Sequence, residues 1–261
     1  MRYTIAENAR PQVKLLLVAT LASVLLWIAS WYLPLVGYVV YPLQLFATFI
    51  HEGGHVLAAI LSGNSVQSLT VSPDTSGEVY SVGSGWFSQL FISSAGYVGT
   101  TAFGAAMLAW IRYGLSSHRL LYISSAIIGV LTVMFGVLAP IWNFFANVTI
   151  GSMAFTVFSG IVLTVGLFCV ARFANAKWAN FAVAFLAVQC LLNAAFSLMQ
   201  LAVITGFTNM HSDAANMAAA TGLPAIAWVF LWMVLSIFLI SLGLRLYAVS
   251  KTTKVDTVFE D

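Results

Sequence analysis

Seven long apolar runs limit what this chain can fold into. Each is close to the roughly 20 residues that a helix needs to cross a bilayer. The runs lie near residues 15–33, 37–62, 90–111, 120–139, 152–171, 178–206 and 223–247. With 61% hydrophobic and 7% charged residues, the chain has too few polar side chains to cover a water-soluble globule. We therefore predict an all-α polytopic membrane protein with about six to seven transmembrane helices.

The first apolar run follows the basic residues Arg2, Arg10 and Lys14, as the core of a signal peptide would. It is long enough to cross a bilayer, however, and no small-residue cleavage site follows it, so we predict a retained membrane helix. Because the connections are short, residues 1–250 should form a single transmembrane domain and residues 251–261 a polar C-terminal tail. No basic run suggests nucleic acid, and we expect Cys169 and Cys190 to be buried, inert thiols.

Two polar connections interrupt the apolar pattern. Residues 64–89 alternate apolar and polar side chains around a Pro-Asp-Thr-Ser-Gly turn, which predicts a small β-hairpin after the second run. Such a hairpin is either a plain solvent-exposed turn or a strand edge that holds a substrate extended. Residues 207–222 form the other polar insert and contain His211 and Asp213.

Basic residues indicate which connections share a side of the membrane. They flank connections that are two runs apart, at Arg112 and Arg119, at Arg172 and Lys177, and at Arg245, Lys251 and Lys254. These three connections should lie on the same side of the membrane, which the positive-inside rule makes cytoplasmic. The N-terminal basic residues indicate the opposite orientation of the protein. In either orientation, residues 64–89, 140–151 and 207–222 share a side.

The second run contains the motif His-Glu-Gly-Gly-His at residues 51–55. A helix turns His51 and His55 to one face, close enough to bind one metal ion. Ionisable side chains are costly at bilayer depth, and a metal site explains why three of them share one turn. Glu52 is placed to act as the general base on a water molecule. The alternative is a histidine pair that neighbouring helices satisfy with hydrogen bonds.

A catalytic zinc site needs about three protein ligands and one open position. Most acidic residues lie near the termini or in the hairpin, at Glu7, Asp74, Glu78, Asp256, Glu260 and Asp261. Asp213 remains the best candidate, because its insert lies on the side where the histidine helix ends. His211 is an open alternative as the ligand, and a helix cap is the alternative role of Asp213.

Two glycines, Gly53 and Gly54, separate Glu52 from His55 and weaken a helix by about 1 kcal/mol each relative to alanine. Either they keep side chains off the metal face so that an extended substrate can approach, or they let a neighbouring helix pack closely.

Four segments together resemble the site-2 protease family of membrane zinc metalloproteases, and most closely its short bacterial B-type-like branch. They are HEGGHVLAAILSG, SPDTSGEVYSVG, SSAGYVGTTAFGAAML and HSDAANMAAATGLPAIAW. The resemblance implies that His51 and His55 are zinc ligands, that Glu52 is the catalytic base, and that a later segment supplies an aspartate ligand. The Asn-Pro-x-Asp-Gly and Leu-Asp-Gly motifs of better-studied members are absent, and the nearest match is Ser212-Asp213-Ala214.

From the motif and the resemblance together we expect a zinc-dependent intramembrane endopeptidase in a bacterial plasma membrane. Its substrates would be membrane-anchored proteins, and its domain would be metalloprotease-like over residues 1–250. The alternative function is a non-proteolytic membrane protein that keeps a structural or binding zinc site, although a structural site needs no base such as Glu52. The sequence leaves the substrate and the oligomeric state open.

Overall fold

The computed structural model describes residues 10–30, 32–83, 85–145, 147–207 and 212–248. The elements, in chain order, are α1 (Arg10–Ser30), α2 (Pro34–Leu61), β1 (Ser65–Val71), β2 (Gly77–Val82), α3 (Trp86–Arg112), α4 (Ser117–Val130), a π-helical segment (Leu131–Leu138), α5 (Ala139–Trp142), α6 (Ile150–Phe173), α7 (Ala176–Phe207), α8 (Asp213–Thr221) and α9 (Ala225–Ala248). The expected tail at residues 251–261 and the alternative ligand His211 lie outside the described residues.

Six helices within the described ranges are long and apolar enough to cross a membrane. They are Pro34–Leu61, Trp86–Arg112, Ser117–Trp142, Ile150–Phe173, Ala176–Thr205 and Ala225–Arg245. The first predicted run is also helical, but its apolar part, Lys14–Ser30, is shorter than the other six. The predicted all-α multi-pass fold is confirmed, and α4, the π-helical segment and α5 together form one of its spans.

Helix α3 lies at the centre of the bundle and packs against α2, α7 and α9. Small residues allow these close approaches. A Cβ on Gly54 of α2 would lie 3.0 Å from the carbonyl carbon of Ala95 in α3, and one on Gly104 would lie 2.9 Å from a methyl group of Leu191 in α7. Gly54 therefore permits close helix packing, which was one of its two predicted roles.

The predicted hairpin is present, and its turn lies against α2 rather than free in solvent. Strands β1 and β2 are antiparallel, with a register from Ser65 opposite Val82 to Val71 opposite Gly77. Two side chains of α2 hold the turn: the Tyr41 hydroxyl donates to Pro73 O at 2.7 Å, and the Thr48 hydroxyl donates to Thr75 O at 2.7 Å. The hairpin thus folds back along the helix that contains residues 51–55.

The basic connections share one end of the bundle, as their charges indicated. Helices α4 and α6 are antiparallel neighbours, because His118 Nδ1 near the start of α4 donates to Ala171 O near the end of α6 at 2.8 Å. Helix α9 runs alongside α3 in the same direction, since Gly243 faces Ala105 and Trp232 bonds to Ser94. We call this the basic end, and its described members are Arg112, Arg119, Arg172, Lys177 and Arg245.

The expectation of two buried thiols was wrong for Cys169. Cys190 is buried in α7, but Cys169 is exposed on the surface of α6. Helix α6 packs on α4, and its buried residues include Leu163, Leu167 and Ala171, whereas Phe173 is exposed like Cys169. A lipid-facing side of a membrane helix is as apolar as its packed side, so hydrophobicity alone does not reveal which side a cysteine occupies.

Candidate metal centre

Helix α2 turns His51 and His55 to one face, as their spacing predicted. Their Nε2 atoms are 3.1 Å apart. The start of α8 brings Asp213 to the same point: its Oδ2 atom lies 3.4 Å from His55 Nε2 and 3.7 Å from His51 Nε2. Among the described residues, these three form a group whose ligand atoms all lie within 4.8 Å of one another.

The three ligand atoms have the spacing that a tetrahedral zinc ion requires. Ligands about 2.1 Å from such an ion lie roughly 3.4 Å from one another. The observed separations of 3.1, 3.4 and 3.7 Å bracket that value. Two imidazole nitrogens and one carboxylate oxygen are also a donor set of catalytic zinc sites, which keep their fourth position open. The residues therefore fit the metal that the resemblance implies.

Gly96 of α3 places no side chain of its own between the Nε2 atoms of His51 and His55. A Cβ at this position would lie 2.5 Å from His55 Nε2 and closer still to His51 Nε2. Any other residue would therefore project its side chain into the gap where an ion would sit. The sequence analysis did not single out Gly96, although it lies within the segment SSAGYVGTTAFGAAML that supports the family resemblance.

A second contact orients each histidine. His55 Nδ1 donates to Ile92 O in α3 at 2.7 Å, which leaves the lone pair of Nε2 facing the gap. The ring of His51 meets the ring of Tyr97 edge to face, with centroids 4.6 Å apart and planes at 81°. Both Nε2 atoms lie within 3.7 Å of Asp213 Oδ2, so the two rings and the carboxylate meet at one point.

The capping role at the start of α8 belongs to Ser212 and not to Asp213. The Ser212 hydroxyl accepts a hydrogen bond from Ala215 N at 3.2 Å, so the Asp213 carboxylate faces the histidines. Burial by itself would raise the pKa of Asp213, but the adjacent His55 and His51 outweigh it and hold that pKa below its usual range.

The two acidic residues of the hairpin do not join this group. Asp74 Oδ1 accepts hydrogen bonds from the backbone N–H and the hydroxyl of Ser76, at 3.0 and 2.6 Å, and these bonds lower the pKa of Asp74. Glu78 is exposed on β2.

Glu52 is buried beside the ligands and contacts the hairpin. Its side chain is 4% exposed. A Cβ on Gly77, the first residue of β2, would lie 2.5 Å from Glu52 Oε1 and 2.6 Å from its Cγ. The backbone of β2 therefore begins directly against the Glu52 carboxyl group, and a side chain at this position would have to displace that group or the strand.

One comparison with known proteins identifies the family. The model of the Peptidase M50B-like family matches residues 16–243, which includes α2, the hairpin, α3 and α8. Searches of curated proteins and of solved structures gave no match. The match covers most of the chain and includes each residue of the candidate metal centre. The chain belongs to the Peptidase M50B-like family, and it is a site-2 protease family membrane metalloprotease.

Proposed function

We propose that this membrane metallopeptidase is a zinc-dependent endopeptidase that cleaves membrane-anchored proteins, with Glu52 as its base. The observation that carries the proposal is the spacing of 3.1 to 3.7 Å among the His51, His55 and Asp213 ligand atoms, around a gap that Gly96 keeps open. Glu52 follows His51 directly in the same helix, so α2 fixes the spacing between the base and the two histidine ligands.

The three ligand residues and Glu52 have different roles. His51, His55 and Asp213 would hold the ion, which when bound would supply Lewis-acid activation of a water molecule and of the scissile carbonyl. Glu52 accepts a proton from that water and returns it to the leaving amine. The contact with Gly77 restricts where the Glu52 carboxyl group can lie, so the base is held in place before a substrate arrives.

Strand β2 has an open edge that begins beside Glu52. The backbone N–H of Val71 in β1 donates to the Thr156 hydroxyl at 2.8 Å, so it points away from β2 and toward α6. Val71 lies opposite Gly77. Their pair is therefore not hydrogen-bonded, and the alternation of an antiparallel ladder turns the backbone groups of Gly77 and Val79 toward the outer side of β2.

This open edge supports the binding of a substrate as an added strand. Thr156 of α6 occupies the outer edge of β1 at Val71, whereas Gly77, Glu78 and Tyr80 of β2 are exposed. A peptide paired with β2 would be extended, which exposes carbonyl groups that a helix would hide in its own hydrogen bonds. Its backbone would pass the Glu52 carboxyl group at Gly77.

The depth of the site supports membrane-anchored substrates. Glu52 lies nine residues before the end of α2 at Leu61, which corresponds to about 14 Å along the helix axis. A bond cleaved there lies below the membrane surface, so the segment that contains it must enter the bilayer. We propose that the substrates are single-span or otherwise anchored proteins, and that the enzyme acts in a bacterial plasma membrane.

The decisive experiment compares the wild type with Glu52→Gln in proteoliposomes loaded with zinc. The probes are a panel of fluorescently labelled single-span peptides and reduced, carboxymethylated casein. We expect cleavage by the wild type, and a Glu52→Gln variant that binds zinc but does not cleave. A variant that cleaves as fast as the wild type would contradict the role of the base. A wild type that binds zinc and cleaves none of the probes would support the structural or binding alternative.

A further inference from the structure

A second buried cluster, separate from the main core, joins four helices beside the metal centre. Its members, which we call the α8 cluster, are Tyr97, Leu198, Leu201, Ala214, Met217, Val229 and Trp232. Ala214 and Met217 lie on α8 directly after Asp213, and neither is exposed to solvent. The cluster therefore determines where the helix that begins with Asp213 is placed.

Trp232 of α9 connects this cluster to a histidine through two contacts. Its fully buried ring stacks on Tyr97, with centroids 5.4 Å apart and an interplanar angle of 21°. Its indole N–H donates to the Ser94 hydroxyl at 3.0 Å, which holds the ring against α3. Tyr97 in turn meets the ring of His51 at 4.6 Å. Trp232 and Tyr97 thus connect α9 to His51, a residue of α2.

The two histidines differ in what orients them. A hydrogen bond to Ile92 O fixes the ring of His55. The ring of His51 is packed edge to face against Tyr97, in addition to the contacts of its Nε2 atom with His55 and Asp213. Aromatic packing therefore contributes to the orientation of His51, and Trp232 stacks on the Tyr97 ring that provides it.

Helix α9 also holds the other end of α8. Trp228, one turn before Trp232, donates its indole N–H to the Thr221 hydroxyl at 3.1 Å, at the last residue of α8. Both ends of the short helix that supplies Asp213 therefore depend on tryptophans of α9 or on the cluster they join.

We propose that Trp232 is a positioning residue of the metal centre. It holds Tyr97 against His51 and shares a buried cluster with the face of α8 that follows Asp213. Two of the three ligands come from α2 and one from α8, and Trp232 contributes to the placement of both helices. This inference rests on the metal centre of the proposed function, but it does not require that the protein cleave peptides.

The test measures zinc affinity by chelator competition in detergent, together with the visible absorption spectrum of the Co²⁺-substituted protein. Loss of a residue that contacts a metal ligand but not the metal typically weakens metal binding by about 10–100-fold, and we expect that range for Trp232→Ala. Trp232→Phe keeps a stacking ring, so it should restore most of the affinity. The Co²⁺ spectrum should shift in Trp232→Ala, because it reports the ligand geometry.

The matched control is Leu121→Ala. Leu121 is equally buried, but it lies in the main core near the start of α4, at the basic end. The Leu121→Ala substitution should lower the melting temperature and leave the zinc affinity and the Co²⁺ spectrum unchanged. Unchanged zinc affinity in Trp232→Ala, or an equal loss in Leu121→Ala, would overturn the proposal.

A second variant decides the question if Trp232→Ala is not recovered folded. Tyr97→Leu removes the ring that faces His51 while keeping an apolar side chain in the cluster. We expect it to weaken zinc binding and to shift the Co²⁺ spectrum, and wild-type values for both would overturn the proposal. A wild type that binds zinc tightly without cleaving peptides would contradict the endopeptidase function alone, so the two failures are distinguishable.

Discussion

Gly77 of β2 lies so close to Glu52 of α2 that a Cβ on the glycine would be 2.5 Å from the carboxylate Oε1 atom. The residues are 25 positions apart, and the contact joins the hairpin to the helix that contains His51 and His55. Thr48, one turn before Glu52, reinforces it by donating to Thr75 O in the turn. The hairpin and the residues 51–55 therefore form one structural unit, and a change in either should affect the other.

Gly77→Ala should disturb this unit. The added methyl group must displace either the hairpin or the Glu52 carboxyl group, and overpacking of this kind costs about 1–3 kcal/mol. We expect a lower melting temperature and a large loss of peptide cleavage with zinc still bound. The control is Gly166→Ala in α6, where a Cβ meets nothing within 4 Å. Equal cleavage by both variants would show that the Gly77 contact does not matter for the base.

Gly96→Ala should abolish metal binding and leave the position of Glu52 unchanged. Its methyl group would occupy the gap between the Nε2 atoms of His51 and His55. Zinc content, measured by mass spectrometry after gel filtration, should fall from about one ion per chain to near zero, as the ligand geometry requires. Gly99→Ala, one turn later on α3, is the matched control, because its Cβ would make an ordinary contact of 3.6 Å with Gly54. Full zinc content in Gly96→Ala would contradict the placement of the ion.

Much of this fold follows from patterns that are local in the sequence. Each apolar run is long enough to identify a helix, and the spacing of His51 and His55 places them on one face without any tertiary information. The hairpin is likewise indicated by alternation and a turn between residues 64 and 89. Asp213 was predicted by elimination among eight acidic residues, by the side that its insert shares with the end of the histidine helix, and by the family resemblance.

Gly96 and Gly77 were not predictable in the same way. Their roles arise from contacts between elements that are far apart in the chain, and a glycine in a membrane helix has several ordinary explanations. For Gly54, close helix packing was one of two predicted roles, but its partner Ala95 is visible only once α2 and α3 are packed. The exposure of Cys169 depends on which face of α6 meets α4. Both faces are apolar, so hydrophobicity does not indicate which of them is packed.

The histidine pair should be required for metal binding. Protein purified in detergent should carry about one zinc ion per chain, and His51→Ala/His55→Ala should carry none, because Asp213 alone is a weak site. At a free zinc concentration 100 times the Kd, the ion should stabilise the folded wild type by about 2.7 kcal/mol, so a chelator should lower its melting temperature. His118→Ala is the control, since its ring bonds to Ala171 O at the basic end. Zinc retained by the double variant would rule out this centre.

Asp213 should supply the third ligand, and the hairpin carboxylates should not. Its Oδ2 atom lies 3.4 Å from His55 Nε2, and Ser212 already caps α8, so removal of the Asp213 carboxylate should leave the helix start intact. Asp213→Ala should weaken zinc affinity beyond the roughly 10–100-fold that an outer-shell loss costs. Asp74→Ala is the matched control, because it also removes an aspartate carboxylate, but one that is exposed and hydrogen-bonded to Ser76. The zinc affinity of this variant should equal that of the wild type. If Asp213→Ala bound zinc as tightly as Asp74→Ala, another group would have to be the third ligand, and His211→Ala would then be the variant to measure.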